Sequence, residues 1–147
     1  MPTRTAQAEW RGTLRGGDGD MRAGGQRVPF SFSSRFAGGA GSNPEELIAA
    51  AHAGCFSMEF AARLEQAGFP PHAVRTTARV TVEPRDAGFA ITRIHLRCTA
   101  DVPGVDEETF QRAAEGARTG CPVSKALAAV PEITLDATRD GESARAA

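Results

Sequence analysis

The chain has 147 residues, of which 41% are hydrophobic and 24% charged, and its formal net charge is −1. These values fit one domain, exclude a disordered chain and argue against a nucleic-acid binder held by a basic surface. One Lys (Lys125) and no Tyr leave Schiff-base chemistry a single candidate and phenolic acid–base chemistry none.

The opening MPTRTAQAEWRG has no apolar h-region. No secretory signal is expected, and the location expected is cytoplasmic. Residues 6–36 read as β structure with glycine turns. Gly16, Gly17 and Gly19 with Asp18 and Asp20 predict one reversal, and Gly24–Gly25 a second. Val28, Phe30 and Phe32 alternate with Pro29, Ser31 and Ser33, a strand with one apolar face, and Arg35 continues its polar phase. AGGAGSN (37–43) is a flexible loop.

That loop leads into SNPEELIAAAHAGCFSMEFAARLEQAGFPP. Asn43 suits an N-cap, Pro44 the first helical position, and Glu46 the third position of a capping box. Gly68, Pro70 and Pro71 end the segment, giving a helix of about 24 residues, roughly 36 Å long. Leu47 to Met58 contains no Asp, Glu, Lys or Arg. An apolar-all-round helix is buried on most sides, which makes a homodimer plausible for so small a chain. The Leu47–Phe56 run is too short and Ala-rich to span a bilayer, so no membrane partner is expected.

A hairpin follows. Val74, Thr76, Ala78, Val80 and Val82 give one dry face; Ile94, Leu96, Cys98, Ala100 and Val102 give the other, around a turn at Pro84–Gly88. Asp106 caps a helix with Phe110, Ala113, Ala114 and Ala117 at helical spacing. Cys121-Pro122 opens a short helix to Val130. Ile133, Leu135 and Ala137 predict a last strand, and residues 138–147 a frayed tail. The order is βββ-α-ββ-αα-β: an α+β fold in a single domain over residues 1–147.

Three cysteines, Cys55, Cys98 and Cys121, stand 43 and 23 residues apart. Cys98 reads as core. Cys55 lies in the apolar helix, where small buried thiols are common. Cys121 sits at a helix start, where unpaired N–H groups favour a thiolate, and on the residues alone it is the better nucleophile. Glu45 stands beside the glycine loop, free to bind a cation, with Arg35 as candidate partner; a guanidinium near a thiol favours the thiolate. Glu45 and Cys55 are separated by about 15 Å along one helix, so Arg35 or a partner chain must bridge them. His52, Cys55 and Cys121 could ligate zinc, a weak pattern without CxxC or HExxH. No phosphate or dinucleotide fingerprint survives inspection, and no cofactor or metal is called for.

SRFAGGAGSNPEELIAAAHAGCFSM (34–58), DAGFAITRIHL (86–96) and TGCPVSKAL (119–127) closely resemble the OsmC/Ohr family, the osmotically inducible protein C and organic hydroperoxide resistance proteins, in its OsmC branch. The resemblance implies an OsmC-like fold, an intertwined homodimer with central buried helices, and a thiol-dependent peroxidase. By the resemblance Cys55 is the peroxidatic cysteine, Cys121 the resolving cysteine, and Arg35 the arginine held by Glu45. Organic hydroperoxides are the implied substrates and lipoyl-type dithiols the implied reductants. Cys55, not Cys121, then attacks first, since an Arg contact in a partly dry site can exceed a helix-terminus effect. Phe36, Leu47, Phe56 and Met58 are expected to line a pocket for the peroxide tail. Two readings compete: a zinc-binding or regulatory thiol module, and a non-catalytic dimeric stress protein.

Overall fold

The computed structural model describes residues 1–141. Two compact units divide the chain, residues 1–47 and residues from 48 onward.

In the first unit, β1 (Gln7–Arg11), β2 (Asp18–Ala23) and β3 (Gln26–Ser31) form an antiparallel sheet in that order. Gly24 and Gly25 (φ 55° and 79°) supply the left-handed pair that a two-residue hairpin needs. Asp18 and Asp20, expected in a turn, lie in β2. The Asp20 carboxylate is held there by Arg27 at 2.6 Å and Arg11 at 3.2 Å.

The alternation that predicted a strand through Phe32 to Arg35 is overridden. Ser31 Oγ accepts from the Ser34 N–H at 3.0 Å, and Ser34 Oγ accepts from the Ser31 N–H at 2.8 Å. This reciprocal cap ends β3 and starts the short helix α1 (Phe32–Phe36). Helix α2 (Pro44–Gln66) begins at the end of this unit. Asn43 Oδ1 accepts from the Glu46 N–H at 2.8 Å, as an N-cap should. The Glu46 carboxylate accepts from the Ser42 hydroxyl.

In the second unit α2 buries a stripe at four-residue spacing: His52, Phe56, Phe60 and Leu64. Ala50, Ala51, Gly54 and Met58 remain exposed in the single chain. The helix that is apolar all round therefore covers one stripe only within its own chain. β4 (Ala73–Arg85) and β5 (Gly88–Asp101) form the hairpin. Pro84 pairs with Phe89, so the turn is Asp86–Ala87, tighter than Pro84–Gly88. Pro84 is tolerated because β4 is an edge strand.

Helix α3 (Glu107–Gly120) is capped by Asp106, whose carboxylate accepts from the Thr109 N–H at 2.8 Å. It buries Phe110, Ala113, Ala114 and Ala117. Helix α4 (Pro122–Ala126) stops four residues before Val130, and β6 (Glu132–Arg139) runs parallel to β5. A parallel neighbour requires a crossover connection, which α3 and α4 provide. Thr138 and Arg139, expected to fray, pair with Thr99 and Ala100; residues 142–147 of that tail lie outside the described residues.

Phe56, Phe60 and Leu64 pack with Leu96, Cys98 and Ala100 of β5 and Phe110, Ala114 and Ala117 of α3. Phe60 meets Phe110 edge-on, centroids 5.2 Å apart, a favoured aromatic geometry. No helix among the described residues is long and apolar enough to cross a membrane.

Candidate active site

The thiol cluster lies in the second unit. Cys55, on α2, is half-buried; Cys121 is fully buried; both are free thiols. The two thiols are close enough that Cys121 raises the Cys55 pKa, though they are 66 residues apart in sequence. The reason is local at each end. The α2 stripe turns Phe56 inward and leaves neighbouring Cys55 at its edge. The α3–α4 junction makes Cys121 the N-cap of α4, with Pro122 fixing the first helical position.

Burial pushes the Cys55 thiol above its ordinary pKa, because the thiolate loses solvation. The nearby Val123 backbone N–H pulls the other way; the neighbouring Cys121 thiol and the Glu59 carboxylate raise it further. Within this unit Cys55 is accessible but not activated, so its activation calls for a cation.

Cys121 Sγ accepts from the Ser124 N–H at 3.3 Å and donates to Ser124 Oγ at 3.1 Å. Ser124 Oγ lies 2.7 Å from His52 Nε2. His52 is fully buried, and burial lowers its pKa. Sequence reasoning weighed His52 only as a zinc ligand and overlooked Ser124; the signal that could have found Ser124 is its third place in a helix that a cysteine caps. Among the described residues no three His, Cys, Asp or Glu side chains are grouped as ligands for a metal ion. Cys98 is core, as expected, 1% exposed, and burial raises its pKa.

The guanidinium–carboxylate pair lies in the first unit. Arg35 Nε donates to both Glu45 carboxylate oxygens at 3.1 Å, and Nη2 to Oε1 at 2.5 Å. Such charge-assisted forks fix orientation as well as charge. The loop between them is pinned, not free. Ser42 N–H donates to Pro29 O at 3.0 Å, Ser34 Oγ to Ser42 O at 2.6 Å, and Asn43 Nδ2 to Ser34 O at 3.2 Å. Gly41 (φ 106°) permits the close return; a Cβ there would meet Pro29 O at 2.8 Å. The sequence spacing thus becomes a contact between α1 and the first turn of α2.

Arg35 also stands 5.0 Å from the Phe36 ring centroid. Both side chains line an open cleft of ≈ 410 Å³ with Trp10, Leu14, Phe30 and Phe32. Of the four residues expected around a peroxide tail, Phe36 lines this cleft and Leu47 is half-buried. Met58 is 77% exposed, and Phe56 belongs to the core against Phe60. The place of Phe56 in the four-residue stripe turns it inward.

Residues 37–136 match the OsmC-like protein family. The chain is 47% identical over 133 residues to Peroxiredoxin OsmC of Escherichia coli, covering 88% of this chain and 92% of that protein. It is 35% identical over 101 residues to the organic hydroperoxide resistance protein of Xanthomonas axonopodis pv. citri, covering 67% and 68%. Among solved structures, a putative redox protein from Lactobacillus casei superposes with a TM-score of 0.72 at 25% identity, covering 96% of this chain and 94% of that one. An organic hydroperoxide resistance protein from Elizabethkingia anophelis shares the fold, with a TM-score of 0.75 at 23% identity and coverage of 95% and 99%. With two thirds of its length matched by the family and close relatives along nearly all of it, the chain belongs to the OsmC-like protein family.

Proposed function

We propose that this chain is a thiol-dependent peroxidase that reduces organic hydroperoxides to alcohols. The observation that carries the reading is the proximity of a half-exposed and a fully buried thiol, Cys55 and Cys121. A buried thiol is a poor first partner for a bulky oxidant and a good second partner for an oxidised neighbour. Cys55 is therefore the attacking residue, against the preference for Cys121 that helix position alone suggested.

In the proposed cycle, Cys55 thiolate attacks the distal oxygen of the hydroperoxide. The O–O bond breaks and the alkoxide leaves, protonated, as alcohol; Cys55 becomes a sulfenic acid. Cys121 condenses with it to a disulfide and releases water. An external dithiol, of lipoyl type, then reduces the disulfide by exchange. Arg35, oriented by Glu45, supplies the cation that offsets the burial of Cys55, from the same chain or a partner. The apolar cleft around Phe36 suits a hydrocarbon tail better than hydrogen peroxide.

The functional unit in this reading is a homodimer of single OsmC-like domains in a reducing, cytoplasmic setting. The exposed α2 row Ala50, Ala51, Gly54 and Met58 supports it, since a large apolar helix face left open in one chain is suited to a second. The relatives named for peroxiredoxin and hydroperoxide-resistance roles support the activity.

Peroxide consumption with cumene hydroperoxide and hydrogen peroxide side by side, with a lipoyl dithiol as donor, tests the proposal. Faster turnover of the alkyl peroxide is expected. No turnover of either would overturn it and favour the non-catalytic stress protein; stoichiometric zinc in protein purified without chelator would favour the metal-binding thiol module.

A further inference from the structure

The proposed cycle leaves one buried titratable group without a task. His52 is fully buried on α2, one turn before Cys55. Its Nε2 is 2.7 Å from Ser124 Oγ, and Ser124 Oγ is 3.1 Å from Cys121 Sγ. Cys121 in turn lies close enough to Cys55 to raise its pKa. Four side chains from two distant segments thus form one continuous row ending at the sulfurs. The other ring nitrogen, Nδ1, is buried with no hydrogen-bond partner among the described residues.

We propose that Ser124 and His52 form a proton relay that deprotonates Cys121 as it closes the disulfide. The claim rests on the peroxidase reading for the identity of the oxidant that first modifies Cys55. The Cys121 S–H proton passes to Ser124 Oγ while the Ser124 O–H proton passes to His52 Nε2. Cys121 Sγ attacks Cys55 Sγ. The S–S bond forms and the S–O bond of the sulfenic acid breaks. Hydroxide leaves and takes the proton from His52, so water is released and the imidazole is neutral again. The Cys121 sulfur is oxidised and the Cys55 sulfur reduced. Burial favours the neutral imidazole, and in the tautomer that carries its proton on Nδ1 the Nε2 lone pair is open to the serine proton. Ser124 touches a reacting atom; His52 acts through it and is a positioning residue.

The relay can be read apart from peroxide. In reduced protein treated with 2,2′-dithiodipyridine, attack by Cys55 releases one pyridine-2-thione, and closure by Cys121 releases a second. His52→Gln keeps an amide able to hydrogen-bond Ser124 but cannot take a proton; Ser124→Ala removes the bridge with little change of volume. Both should slow the second phase about a hundredfold relative to the first, and Ser124→Thr, which restores a hydroxyl, should recover most of the loss. A second phase within about twofold of the unsubstituted protein in both slow-phase variants overturns the relay, because general acid–base help is worth far more than that. If His52→Gln does not fold, Ser124→Ala and Ser124→Thr carry the decision. A parallel cumene hydroperoxide assay on the unsubstituted protein separates the two claims: absence of consumption removes the peroxidase reading while the thione phases still decide the relay.

Discussion

Residues 1–47 and the residues from 48 onward hold their shapes by different means. The second unit has a core: Phe56, Phe60, Leu64, Leu96 and Phe110 are all fully buried. The first unit buries Asp20, Ser34 and Asn43, while its large apolar side chains Trp10, Leu14, Phe30 and Phe36 line an open cleft. Hydrogen bonds and ion pairs shape it: the Ser31–Ser34 cap, the Arg11–Asp20–Arg27 cluster and the Arg35–Glu45 fork. The contrast teaches that the thiols sit on the well-packed part, while the charge proposed to activate them sits on the part with little core of its own. The two thiols are held by one packed unit; the Arg35–Glu45 pair is held by polar geometry in the other.

The comparison can be broken most severely at Cys55. Cys55→Ser should abolish peroxide turnover, measured with a dithiol donor; retained turnover would move the chemistry elsewhere. Cys121→Ser should allow one oxidation and then stall, with Cys55 trapped as sulfenic acid by dimedone in a mass spectrum. Phe60→Ala should cost about 3–5 kcal/mol, because it empties a fully buried site against Phe110; denaturant unfolding measures it. That loss belongs to the second unit and has no counterpart expected in the first.

Arg35→Ala sharpens the comparison from the other side. Burial already raises the Cys55 pKa, and a cation opposes that rise. The thiolate is the reactive form, so losing the cation should move the rising limb of the rate–pH profile to higher pH without changing the unfolding midpoint much. The smallest effect is expected at Cys98: Cys98→Ala should cost about 1 kcal/mol of stability and leave turnover intact, as a core thiol outside the cluster.

Much of this was legible in the sequence where one local rule acted alone. Asn43-Pro44 starting a helix, Asp106 capping another, the period-2 face of β5 and the four buried residues of α3 all follow from spacing and caps. Where two rules competed, the alternation was the weaker. Ser31 and Ser34 made a helix turn out of what alternation wrote as strand, and β-pairing carried Pro84 and Arg139 into strands that composition assigned to a turn and a tail. The Arg35–Glu45 pair was legible because loop length limits how far ten residues can stray. The Ser124–His52 row was not, because it joins segments 72 residues apart and nothing in either segment alone marks it.

A thiol count with a peptide map, before and after one equivalent of cumene hydroperoxide, tests the central claim most directly. The account predicts the loss of two thiols per chain and a Cys55–Cys121 cross-linked peptide, with Cys98 still reduced. Undiminished thiols, or a disulfide that includes Cys98, would contradict it.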